Sequence, residues 1–168
     1  LGFKNKNLFN LRYGKIIIMT DADVDGAHIA ALLMTFFYIE MPSLIENGNL
    51  FLAQPPLFRI TLGGFSEYAS TEKQKNDIIK NKFNNSTQVE VSRFKGLGEM
   101  PPKQLKETTM DPIKRTLIRI TIPKGNNRDD ILETRATHAL VDDLMGKKAE
   151  KRFEFIQQHA QFADRLDV

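Results

Sequence analysis

The apolar positions of the chain change period several times, and each change marks an element. "KIIIMT" at 15–20 is a short, continuously apolar, β-branched run, the pattern of a strand covered on both faces in a parallel sheet. After a polar interval, "AHIAALLMTFFYIEM" at 27–41 is long enough for a helix, and Pro42 stops it because proline lacks the N–H and its ring opposes continuation. Apolar residues occupy nearly its whole circumference, so this helix is expected to be buried on several sides. Strand, acidic turn and buried helix make half of a βαβ unit.

"NGNLFLAQPPLFRITLGGFSEYAS" at 47–70 then gives short β-like runs, with Gly63 and Gly64 suited to a tight hairpin turn. "TEKQKNDIIKNKF" reads as a helix capped by Thr71, with Gln74 at the capping-box position. "QVEVSRF" alternates like a strand and runs into the turn "KGLGEM". "PPKQLKETTM" opens on prolines, which a helix tolerates in its first turn, and "RTLIRITI" is another strand. From about Asp129 the pattern predicts two helices separated near Gly146, after an exposed loop at "PKGNNRDD". The predicted fold is α/β, with an α/β portion over 1–125 and a helical tail over 126–168.

Length and composition narrow this picture. The 168 residues are enough for a domain that buries a core without cross-links, and 41% apolar with 27% charged residues is ordinary globular usage. With no cysteine, disulfides and zinc–thiolate sites are excluded, and a cytoplasmic location is the expectation. The apolar run Ile29 to Ile39 is shorter than the roughly 20 residues of a membrane span, so no membrane partner is expected. The start "LGFKNKN" has neither methionine nor a signal-peptide core, which predicts a piece of a longer polypeptide. Residues 71–125 carry twelve Lys/Arg against six Asp/Glu, while the flanking regions are nearly neutral or acidic. That middle region is either a footprint for a polyanion such as DNA or a solvated basic surface.

The polar interval "TDADVDG" carries the chemistry. Asp21, Asp23 and Asp25 alternate directly after the apolar strand, at the strand end where ligands of open α/β sheets gather. Three such carboxylates repel one another unless something positive sits among them. Oxygen-only donors favour a hard ion, Mg²⁺ or Mn²⁺ before Zn²⁺. The plain alternative is an Asp-rich turn that caps the following helix, which accounts for one or two of the three. An EF-hand loop is excluded, because Leu32 stands where its bidentate glutamate belongs. Asp23-Val24-Asp25-Gly26 also resembles the nucleophile motif of haloacid-dehalogenase-type phosphatases, although Ala27 replaces their Thr or Val.

Three long segments go further. "KIIIMTDADVDGAHIAALLMTFFYIEMPSLIENGNLFLAQPPLFRI", "SRFKGLGEMPPKQLKETTMDP" and "LMGKKAEKRFEFIQQHAQFADRLDV" together resemble the C-terminal half of the B subunit of bacterial type IIA DNA topoisomerases, over nearly the whole chain. Of the two branches of that family the chain is more similar to topoisomerase IV, having Phe94 and Lys106 where gyrase tends to have tyrosine and tryptophan.

The resemblance implies a Toprim domain, a Rossmann-like fold with a mainly parallel sheet flanked by helices, followed by a helical tail. It implies Mg²⁺, with Mn²⁺ as a substitute, for double-strand DNA cleavage and religation. Asp21 and Asp23 would be metal ligands and Asp25 a supporting carboxylate, completed by a glutamate upstream of Leu1. The family's "EGDSA" and "PLRGK" motifs are also upstream, as are one strand of the sheet and the ATP-binding and transducer domains, so ATP is expected to bind only outside this chain. The attacking tyrosine would come from the A subunit of an A₂B₂ heterotetramer, which leaves Tyr13, Tyr38 and Tyr68 without that role. His28, Arg93, Lys95 and Arg152 are the expected DNA contacts, each against the alternative of an ordinary surface or turn residue. Gly96 and Gly98 would allow close backbone approach. The short span between "EYAS" and "SRFKG" leaves no room for the large inserted domain of some gyrase B subunits. A nucleoid-associated location and no cleavage by this chain alone complete the expectation.

Overall fold

The computed structural model describes residues 11–125 and 127–160. They divide into two compact units. One contains 15–30 and 50–119, the other 11–14, 31–49 and the described part of 120–160. The residues after 125 therefore group with an earlier segment of the chain, a grouping that the linear boundary at 125 and 126 does not convey.

In the first unit, β1 (Ile16–Ile18) pairs in parallel with β2 (Leu50–Ala53), with Ile16 opposite Leu50 and Ile18 opposite Leu52. β6 (Leu117–Arg119) lies antiparallel on the other side of β2, with Phe51 opposite Arg119. A second sheet is formed by β3 (Phe58–Leu62), β4 (Phe65–Ala69) and β5 (Glu90–Arg93), in the order β4–β3–β5 and all antiparallel. Gly63 and Gly64, at φ +55° and +88°, supply the left-handed pair that turns β3 into β4. The expected mainly parallel sheet is thus corrected among the described residues, where only the β1–β2 pair is parallel. The reason is local. A two-glycine turn can only join antiparallel neighbours, whereas a parallel pair requires a crossover such as the helix between β1 and β2.

Helix α3 (Glu72–Lys82) packs its Ile78 and Ile79 on the second sheet, whose core is Phe58, Ile60, Ala69 and Phe83. Its start is as predicted, since the Gln74 N–H donates to Thr71 Oγ1 at 3.1 Å. The return bond of the capping box goes one residue further back, from the Ser70 N–H to Gln74 Oε1 at 2.9 Å. The helix predicted at 101–110 is α4 (Pro102–Leu105), which widens into a single π-helical turn over Lys106–Met110.

The strand before the acidic turn is only partly covered, with Ile16 and Ile17 half-buried and Ile18 buried. Helix α1 (Val24–Glu40) departs further from expectation. Ala30 and Phe37, seven residues apart on one face, are buried, whereas Ile29, Leu32, Leu33, Phe36 and Ile39 are exposed. Periodicity reports which side chains are apolar, but burial depends on how many elements surround the helix.

The second unit holds the later part of α1, α2 (Pro42–Glu46) with buried Leu44 and Ile45, α5 (Arg128–Met145) and α6 (Ala149–His159). Asn127 Oδ1 accepts the Asp130 N–H at 2.8 Å, which starts α5 one residue before the predicted Asp129. Tyr38 and His138 lie ring to ring at 5.1 Å. Among the described residues no helix is long and apolar enough to cross a membrane.

Candidate functional site

Residues 19–23 connect β1 to α1 and carry two of the three aspartates, and Asp25 follows in the first helical turn. All three are exposed. Asp23 caps the helix, because its Oδ1 accepts the Gly26 N–H at 2.6 Å and its carbonyl accepts the Ala27 N–H at 3.0 Å. The wrap is tight enough that a Cβ on Gly26 would lie 2.0 Å from the Asp21 carbonyl oxygen, so only glycine fits there.

Asp21 is held from a distant part of the chain. Its Oδ1 accepts the Leu97 N–H, 76 residues later, at 2.7 Å. A Cβ on Gly96 would lie 3.0 Å from Asp21 Cγ and Oδ1, so the close approach foreseen for the glycine turn belongs to Gly96, while Gly98 faces open space. The turn closes on itself. The Lys95 N–H donates to Glu99 Oε2 at 2.8 Å, the Glu99 N–H to the Gly96 carbonyl at 3.1 Å, and the Met100 N–H to the Leu97 carbonyl at 3.2 Å.

What remains open defines the chemistry. Asp21 Oδ2, Asp23 Oδ2 and both oxygens of Asp25 accept no hydrogen bond among the described residues. Such exposed oxygens suit a hard cation better than a thiophilic one. Among the described residues, however, no three His, Cys, Asp or Glu side chains are grouped to hold a metal ion. The donor chemistry of Asp21, Asp23 and Asp25 suits a hard divalent cation, but among the described residues they form no closed cage by themselves.

The basic residues divide between the units. His28 is exposed on α1 just beyond the acidic turn. Arg93 ends β5 with its guanidinium carbon 6.0 Å from the Phe58 ring centroid, and Lys95 begins the turn that bonds Asp21. These residues share the first unit with the aspartates. Arg152 lies in the second unit, where its Nη1 donates to the Gly146 carbonyl at 2.5 Å and so closes the end of α5. In that unit, burial and nearby Asp142 push the Tyr38 phenol above its ordinary pKa, and its hydroxyl is buried without a hydrogen-bond partner among the described residues.

Comparison with known proteins places these segments. The Toprim domain matches residues 2–55, and the carboxyl terminus of the DNA gyrase B subunit matches residues 86–157. The DNA topoisomerase 4 B subunit of Bartonella bacilliformis is 53% identical over 159 residues, 95% of this chain and 22% of that protein. The protein of that name from Rickettsia bellii is 55% identical over 158 residues, 94% of this chain and 22% of its own. The chain belongs to the B-subunit family of type IIA DNA topoisomerases.

The DNA gyrase B subunit of Metamycoplasma hominis is 48% identical over 158 residues, 94% of this chain and 23% of that protein. The chain spans about a fifth of the length of these topoisomerase relatives. Membership in this family decides between the readings of the acidic motif in favour of Toprim over a phosphatase. It also gives the Asp21–Leu97 bond a particular meaning, because Asp21 lies in the Toprim match and Leu97 in the gyrase B carboxyl-terminal match.

Three residues of this turn escape sequence reasoning. Gly26 was legible only as part of "DVDG", the Leu97 contribution is a backbone N–H and leaves no side-chain signal, and Glu99 acts by bonding the turn's own backbone.

Proposed function

We propose that the chain supplies the Toprim carboxylates and C-terminal helices of a topoisomerase IV B subunit. With an A subunit, in an A₂B₂ heterotetramer, the complete protein cleaves and religates both strands of DNA, using ATP bound outside this chain, and so decatenates and relaxes it. The observation that carries the reading is the pairing of an acidic turn, open at its outer oxygens, with the second matched segment through the Asp21–Leu97 bond. Identities of 53–55% to the topoisomerase 4 relatives, together with Phe94 and Lys106, support this branch.

In this reading Asp21 and Asp23 hold Mg²⁺, or Mn²⁺ in its place, on a Rossmann-like strand end, with Asp25 in support. The ion, when bound, offsets charge on the scissile and neighbouring phosphates and stabilises the leaving 3′ oxygen. The chain's own residues set its position. Asp21 keeps one oxygen on Leu97 and leaves the other without a hydrogen bond among the described residues, and Asp23 does the same with its helix cap. His28, Arg93 and Lys95 contact phosphates near this turn, and Arg152 contacts DNA from the helical tail. The basic middle region adds affinity that is independent of sequence and falls with salt. The attacking tyrosine belongs to the A subunit. The location is cytoplasmic, on the nucleoid.

The test uses the complete subunit with its A partner. Asp21→Ala and Asp23→Ala should lose DNA cleavage while binding DNA normally in Mg²⁺-free buffer, and full cleavage by both variants overturns the proposal. A gyrase reading, which the 48% identity to a gyrase B subunit keeps in view, requires negative supercoiling of relaxed plasmid with ATP.

A further inference from the structure

The KGLGE turn does more than pack beneath the acidic turn. Asp21 carries its hydrogen bond from a backbone N–H, and a backbone donor can be aimed only by the shape of its loop. Two features set that shape. Gly96 lets the loop reach the Asp21 side chain, since any Cβ there would sit 3.0 Å from Cγ and Oδ1. Glu99 folds back so that its Oε2 takes the Lys95 N–H at 2.8 Å, while its own N–H reaches the Gly96 carbonyl. The first bond closes the loop over Gly96 and Leu97 through the Glu99 side chain, and the second holds the Gly96–Leu97 peptide through the backbone, so the direction of the Leu97 N–H depends in part on the Glu99 side chain. Glu99 is exposed and makes no ion pair among the described residues, so its role is this backbone bond and not charge pairing.

We propose that Glu99 and Gly96 are positioning residues for Asp21, fixing which of its carboxylate oxygens is bonded to Leu97 and which is left for a divalent cation. The proposal rests on the reading of Asp21 as a ligand. A carboxylate free to rotate must be ordered when the cation binds, whereas one held by a hydrogen bond is already oriented, and loss of such supporting groups typically costs about 10–100-fold in metal affinity.

The experiment titrates Mn²⁺, followed by its electron paramagnetic resonance signal, into the complete subunit assembled with its A partner and a duplex. Gly96→Ala and Glu99→Ala should raise the half-saturating Mn²⁺ concentration about tenfold. Glu99→Gln, whose amide oxygen still accepts the Lys95 N–H, should stay within about threefold of the wild type, because a neutral acceptor retains most of such a bond. Wild-type affinity in Glu99→Ala overturns the proposal, as does a loss in Glu99→Gln equal to that in Glu99→Ala, which would assign the effect to charge. Asp21→Ala separates the two levels. If it binds Mn²⁺ like the wild type, the ligand reading itself fails; if it loses binding while Gly96→Ala and Glu99→Ala do not, only the positioning role fails. Should Gly96→Ala not fold, the Glu99 pair decides.

Discussion

At the acidic turn, each of the exposed Asp21 and Asp23 commits one carboxylate oxygen to a backbone N–H and leaves the other without a donor among the described residues. In the α5–α6 pair the charges are directed at partners close by. Lys151 is bonded to Asp143, and the Arg152 guanidinium closes the end of α5 on the Gly146 carbonyl. Both regions are rich in charge, so charge density does not tell them apart. The difference is in what is left over. A cation bonded to the end of a neighbouring helix or to a nearby carboxylate stabilises its own fold, while a carboxylate oxygen with no donor among the described residues is ready for a ligand. The last carbonyls of a helix need donors, which explains why an arginine there is drawn into structure.

This contrast can be broken at several points. The largest effect is expected at Asp21. In the complete enzyme, Asp21→Ala should reduce Mg²⁺-dependent cleavage by more than the about 10–100-fold that loss of a supporting group costs. Its denaturant midpoint should reflect only about 1 kcal/mol for the lost Leu97 bond. A large stability loss with cleavage retained would make the turn structural and erase the contrast.

Gly26→Ala comes next. A methyl group directed at a backbone oxygen forces the turn to move, and about 1–3 kcal/mol should be lost in chemical denaturation. Cleavage should fall with it, since Asp21 moves too. Arg152→Ala should cost about 1–2 kcal/mol through the unsatisfied end of α5, measured the same way. Arg152→Lys keeps the charge but not the planar fork, so a variant that loses stability yet retains DNA affinity in a salt titration would keep Arg152 on the structural side. Lost affinity with unchanged stability would move it to the other.

The smallest effect is expected at Tyr38, whose buried hydroxyl has no partner among the described residues. Tyr38→Phe should be neutral or stabilise by up to about 1 kcal/mol. Its phenol lies above the usual value because burial opposes the phenolate, with Asp142 adding to it. The folded state therefore holds this proton more tightly than the unfolded state. Stability from it is complete below the unfolded value of about 10 and is lost as pH rises through the folded one. Thermal unfolding of Tyr38→Phe should accordingly fall less steeply than that of the wild type above that pH.

Much of the local structure was legible in the chain. The Thr71 cap, the Gly63–Gly64 turn, the break at Pro42 and the helix end near Gly146 each follow from a residue whose backbone preference acts within a few positions. The burial of α1 was not legible, because an all-round apolar surface states a capacity for contact and not its presence. Strand direction was also out of reach for most pairs, since pairing is decided between segments that periodicity treats singly. At the site, the aspartates stood out as residue types, and the glycine turn stood out as a place of close approach.

The sequence by itself determined the family, the oxygen-donor chemistry of the acidic turn and the places where helices begin and end, because these depend on residue type and short spacing. Only the tertiary structure decided that Gly96, and not Gly98, is the glycine against Asp21, that the Leu97 N–H holds that carboxylate, and that Arg152 turns inward to cap α5. The physical reason is that a hydrogen bond acts over about 3 Å in space, whatever the distance along the chain, and a backbone donor looks the same in every sequence.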